Sequence, residues 1–130
     1  MSSETTFFKQ IDKFAKEADL SVSEAVKGIK ISVFNGIIRD ERVDTGRLRG
    51  NWQISNGAPI LVETDRNDNT AHGVNGGKAQ DDVIATVKGK TTDYLTNNLP
   101  YAEVWEEVDG KIPRNIERVV RNLNQVIKEK

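Results

Sequence analysis

Between Val43 and Trp52 the sequence changes from a helical period to a strand period within one short, turn-rich stretch, Asp44-Thr45-Gly46-Arg47-Leu48-Arg49-Gly50-Asn51. Upstream, Ser21-Val22-Ser23-Glu24 matches a capping box, and the apolar spacing that follows predicts a helix running to about Arg42. Downstream, Trp52 and Ile54 alternate with Gln53 and Ser55, the pattern of a half-buried strand. Gly46 supplies permissive backbone, while Asp44 and Thr45 can bond nearby amides in a turn. A long helix must therefore meet a strand through a tight corner. Asp44, Thr45, Gly46 and Trp52 are its structural residues.

The rest of the chain predicts an α+β domain. Phe7, Phe8, Ile11, Phe14, Ala15 and Ala18 mark an N-terminal amphipathic helix that breaks at Asp19-Leu20. In the second helix Val22, Val26, Ile29, Val33 and Ile37 form the main stripe. Ile31, Phe34 and Ile38 form a separate patch, to be covered by the first helix folding back or by a neighbouring subunit. Asn56-Gly57 is a hairpin signal, but Pro59 demotes Ile60 to Val62 to a short edge strand at most. Glu63 to Asp82, rich in Asp, Asn and Gly, reads as a long mobile loop. Val83 to Lys88 and Thr92 to Asn97 read as a hairpin through Gly89. Asn98 and Pro100 then open a short helix with Tyr101, Val104, Trp105 and Val108 facing inward and Glu103, Glu106 and Glu107 facing solvent. Pro113 starts a final helix, with Ile116, Val119, Val120, Leu123, Val126 and Ile127 toward the core and Arg114, Arg118 and Arg121 on another face. The expected architecture is two N-terminal helices, a small antiparallel sheet, and a C-terminal helix packed on the sheet.

Residues 1–130 suit a single domain. A net charge of −1 gives no global basic field for nucleic acid, so any DNA contact has to be local. With no cysteine, disulfides and thiolate chemistry are excluded. The polar segment Met1 to Thr6 lacks the regions of a signal peptide, and no apolar run approaches membrane-spanning length; a soluble chain without membrane contact is expected. Asp65 to Asn69 begins like a calcium loop, but Thr70 and Gly76 stand where the turn glycine and bidentate glutamate belong. Gly73 to Lys78 has the wrong spacing for a phosphate cradle, and His72 is the only histidine. No metal, cofactor or catalytic residue is assigned. Asp44-Thr45-Gly46 also matches the core of dimeric aspartic proteases, whose two carboxylates share a proton. Here Glu41 and Arg42 replace the apolar lead-in strand, and Arg47 replaces the small residue after the glycine. A neighbouring guanidinium would moreover keep Asp44 ionised, which is wrong for a shared-proton pair.

Asp44 to Gln53, taken with Tyr94-Leu95-Thr96-Asn97-Asn98-Leu99-Pro100-Tyr101-Ala102, resembles the tail-completion or head-to-tail connector proteins of long-tailed bacteriophages. The chain departs from that family's pattern after Ala102. It reads Glu103-Val104-Trp105-Glu106-Glu107-Val108-Asp109-Gly110-Lys111-Ile112-Pro113 in place of an acidic residue, a glycine and a Gln-x-Pro loop. The resemblance implies a non-enzymatic virion protein of the neck or tail end, assembled in the host cytoplasm. It also implies a ring of copies that meets other neck and tail proteins and joins filled heads to tails. A ring needs a heterologous contact. Glu103, Glu106, Glu107 and Asp109 on one side and Arg114, Arg118 and Arg121 on the other are candidates for it, with Ile31, Phe34 and Ile38 as a second patch. A different assignment places the arginine stripe, Arg47 and Arg49 against DNA in the ring's lumen, as a non-specific phosphate contact.

Overall fold

The computed structural model describes the backbone of residues 3–129 and the side chains of residues 9–125. Along the chain come α1 (Ser3–Glu17), α2 (Val22–Arg39), α3 (Arg47–Gly50), β1 (Trp52–Asn56), α4 (Lys78–Thr86), β2 (Asp93–Asn97), α5 (Ala102–Asp109) and α6 (Lys111–Glu129). The fold is α+β, helices around a two-stranded antiparallel sheet. The side chains of Phe7, Phe8, Val126 and Ile127 lie outside the described residues.

The start of α2 follows its sequence signal: the Ser21 hydroxyl accepts the Glu24 amide and the Glu24 carboxylate accepts the Ser21 amide, both at 3.1 Å. The helix ends at Arg39, short of the expected Arg42, with Asp40 as its C-cap. One face of α2 packs with α1 and α6, where Ile11, Ala15, Ala25, Val119 and Leu123 are buried. Helix α6 comes close at Gly36, where an added Cβ would strike Asn115 and Arg118. The first turn of α6 reaches the sheet side of the core through Ile112.

The other face of α2 meets α4 and the sheet. Ile37, Ile38, Trp52, Ala79, Val83 and Val87 form the core there, with Ile31 and Phe34 packed against it. The patch Ile31, Phe34 and Ile38, expected to be covered by the first helix or a neighbouring subunit, is covered within the chain, fully at Ile38 and in part at Ile31 and Phe34. Its cover is α4, which spans the end of the expected loop and the start of the expected strand. Val83 to Thr86 is helical because Ala79, Val83 and Val87 recur at four-residue spacing and all three are buried, while Ile84 points outward. The hairpin partner of β2 is instead β1, with Trp52 opposite Asn97 and Asn56 opposite Asp93. Ile60 to Val62 forms no strand.

At the start of β2, Lys30 of α2 donates to the Asp93 carboxylate at 3.0 Å and to the carbonyls of Lys88 and Thr91. Burial of Asp93 opposes its charge, but bonds from Thr91, Asn56, Lys30 and the Lys88 amide outweigh it and lower its pKa from 3.8 to about 2. Because the folded value lies below the unfolded one, the stabilisation is complete above about pH 4 and is lost as pH falls through about 2. Asp93→Asn should therefore cost on the order of 2 kcal/mol at pH 6 and almost nothing near pH 2. Denaturant titrations at several pH values will show this; a pH-independent difference would refute the assignment.

Trp52 is buried, and its indole Nε1 donates to Glu41 Oε1 at 2.8 Å. Trp52→Ala should cost roughly 3 to 5 kcal/mol, through lost packing and a stranded carboxylate. The exposed Asp44 should tolerate Asn within about 0.5 kcal/mol. Chemical denaturation of the two variants checks both, and a Trp52→Ala stability equal to wild type would show the anchor to be misassigned.

Candidate functional site

The corner after α2 contains a single turn, α3, that its sequence did not signal, and Asp44, expected to bond a nearby amide, makes no hydrogen bond or ion pair among the described residues. Gly46 caps α3 in the left-handed region at φ 85°, and the Thr45 hydroxyl accepts the Arg47 amide at 3.3 Å. Gly46 and Gly50 are backed by the following loop. A Cβ on Gly46 would meet Asp68 and Asn69, and one on Gly50 would meet the Arg66 carbonyl. Asp44 and Thr45 are exposed on the outer side.

What lies inside the corner is Arg49, with its side chain fully buried. It sits 3.7 Å from Asp68 and donates to the carbonyls of Ala71 at 3.2 Å, Val74 at 2.9 Å and Gly76 at 3.0 Å. Burial pulls its guanidinium below the ordinary arginine value, and Asp68 and Glu41 oppose that pull. Burial of Asp68 disfavours its charge, yet bonds from Thr70 and the Ala79 amide, with Arg49 nearby, leave it more acidic than usual. The Asp68 carboxylate that resembled part of a calcium loop is thus committed to the protein's own amides and to Arg49. Arg49 is correspondingly removed from any contact with DNA.

The same contacts order the segment expected to be mobile. Besides Arg49, Arg66 donates to the carbonyls of Gly50 and Trp52 and pairs with Asp82. Asn51 Oδ1 accepts the Thr64 amide, Gln80 bonds Gly76, Asn75 and the Asn35 carbonyl, and the Gly73 amide reaches the Arg39 carbonyl. From Lys78 onward the segment is helical. His72 is exposed, with Nδ1 3.1 Å from the Glu41 carbonyl oxygen.

A second buried cation organises the candidate interface. Lys111 Nζ lies 3.3 Å from Glu41, 3.5 Å from Glu106 and 3.8 Å from Asp109, with its side chain 1% exposed. This draws Glu106 and Asp109 inward and rolls α5 relative to the expected orientation. Tyr101, Val104 and Val108 are turned out to solvent, and no residue of α5 is fully buried. Trp105 is half-buried beneath the Arg42 guanidinium, 4.0 Å from the ring centre. Ile116 likewise faces solvent, because the buried positions of α6 are Lys111, Asn115, Val119 and Leu123.

Much of the charge assigned to an intersubunit contact is therefore used within the chain. Asp109 takes a bidentate pair from Arg42, at 2.7 and 2.8 Å, which holds its carboxyl below the usual range. Arg114 donates to the Asp109 carbonyl and approaches Asp40 at 3.8 Å. Arg118, half-buried, donates to the Ser32 carbonyl at 2.9 Å. Glu103, Glu107 and Arg121 remain exposed, without a bond or ion pair among the described residues. Between the corner and α5 runs a groove of about 640 Å³ lined by Asp44, Arg47, Leu48, Tyr101 and Trp105. Its cations are already paired, Arg42 with Asp109 and Arg47 with Glu63. The groove presents an aromatic wall with balanced charge.

Arg49→Met should cost about 3 to 5 kcal/mol, because it leaves Asp68 and three loop carbonyls without their buried partner. Limited proteolysis should cut residues 63–77 of this variant well before its helices, whereas the wild-type loop resists. Equal cleavage of the two proteins would show that Arg49 does not hold the loop.

Among the described residues no helix is long and apolar enough to cross a membrane. In comparisons with known proteins the chain matches no family model, no curated protein and no solved structure, so its function has to be argued from its own motifs and geometry.

Proposed function

We propose that the chain is a non-enzymatic structural protein of a bacteriophage virion, placed at the neck or tail end, where a ring of copies joins the DNA-filled head to the tail. One observation carries most of the weight. The two separated segments that resemble the connector family, Asp44 to Gln53 and Tyr94 to Ala102, meet in a single structural unit. Trp52 pairs with Asn97 across the sheet, and Asn97 Nδ2 donates to the Leu48 carbonyl at 2.8 Å. Two motifs that are specific only in combination are thus also physically combined.

The chemistry of the corner supports the same reading. Its charged and glycine residues position α2, the loop and the sheet, which suits a part that works by geometry. Copies in such a ring meet through two different surfaces of one chain, with the rotation closing. Assembly takes place in the host cytoplasm and the finished location is the virion.

Loss of the protein should leave DNA-filled heads and separate tails, since a connector is needed for joining and not for packaging. Electron microscopy of a lysate from phage lacking the gene provides the test. Intact infectious particles in that lysate would rule out the role.

A further inference from the structure

We infer that the groove between the corner and α5, together with the outer face of α5 beside it, docks a basic amphipathic segment of a partner protein. This goes beyond the neck role and does not rest on it.

Successive residues of a helix turn by about 100°, so Val104, Val108, Tyr101 and Trp105 follow one another around one side of α5. Val104 is 57%, Val108 63% and Tyr101 41% exposed. Tyr101 and Trp105 also line the groove, with Val43 and Leu48 across from them. The apolar strip therefore continues from the face of α5 into the groove. Contiguous apolar surface that includes two aromatic side chains marks a contact site. The strip is also held ready. Lys111 draws Glu106 and Asp109 inward and fixes the roll of α5, so a partner meets this face without rearranging it.

Charge specifies the partner. The cations lining the groove, Arg42 and Arg47, are balanced by Asp109 and Glu63. The carboxylates on the two borders of the strip are not balanced. Glu103 and Glu107 are exposed on α5 next to Val104, on the side away from the groove, and Asp44 is exposed on the corner wall. None of these carboxylates has a hydrogen bond or ion pair among the described residues. An apolar strip between two acidic borders selects a segment whose apolar residues lie on one side and are flanked by lysine or arginine. It disfavours nucleic acid, whose phosphates would meet the carboxylates. It also disfavours the same face of a second copy, because like charges would oppose each other.

The probe is a helical peptide of leucine and lysine with its leucines on one face, titrated into the purified protein and followed by calorimetry. It should bind saturably at one site, and the same peptide with glutamate in place of lysine should bind at least roughly tenfold more weakly. Glu103→Lys/Glu107→Lys should weaken the lysine peptide at least roughly tenfold. Asp81→Lys/Glu117→Lys makes the same change in net charge at exposed acids of α4 and α6, and should alter binding less than about twofold. Val104→Ser/Val108→Ser removes apolar contact without touching the charge, and should weaken binding as well. All the altered side chains are exposed, and circular dichroism verifies the fold of each variant. Equal weakening by the two lysine pairs, or full affinity in the serine variant, would overturn the inference. A wild-type dimer in analytical ultracentrifugation that the serine variant abolishes would overturn it too, because the face would then belong to a second copy.

Discussion

The buried ammonium of Lys111 is the point on which the arrangement of the helices depends. It brings together Glu41 from the end of α2 and Glu106 and Asp109 from α5, while Glu41 also receives the indole of Trp52. Four elements are thus held by one charge cluster. Magnitudes separate it from the surface pairs. Removing one partner of a buried pair leaves an uncompensated charge and costs about 3 to 5 kcal/mol. An exposed pair such as Lys16 with Asp12 contributes about 0.2 to 1 kcal/mol. The orientation of α5 follows from this difference: placing Val104 and Val108 in solvent is cheaper than leaving Lys111 without its carboxylates.

Arg49 does for the loop what Lys111 does for the helices, by different chemistry. A lysine is a compact charge that can gather carboxylates around a point. The guanidinium is a planar fork, and here it reaches several backbone carbonyls spread over one irregular segment. A loop with few apolar side chains is thereby ordered through its backbone. Burial of hydrophobic surface is not the only means by which polar sequence acquires a fixed shape.

Features set by neighbours in sequence were legible in the residues alone. The Ser21–Glu24 cap, the corner at Gly46 and the strand at Trp52 each depend on a few adjacent side chains. Features decided by distant partners were not. Val83-Ile84-Ala85-Thr86-Val87 has the β-branched content of a strand, and only packing against Ile38 and Trp52 selects the four-residue spacing that makes it helical. With α4 unseen, Ile31, Phe34 and Ile38 lacked a cover and resembled an interface. The roll of α5 could not be read from its own periodicity, because the group that turns it, Lys111, belongs to the next helix. Nothing local announces that Arg49 is buried and Arg121 exposed; both are arginines in polar surroundings, and tertiary contacts alone distinguish them.

The three carbonyls that Arg49 grips also set a rule for how this segment can change over generations. They come from Ala71, Val74 and Gly76, and a guanidinium of fixed reach can hold them only at this spacing. The contacts are to backbone, so the identities of Ala71 and Val74 are free to drift. The number of residues is not. A segment that looks like a tolerant surface loop by composition is instead one where substitutions are absorbed and a one-residue insertion is not.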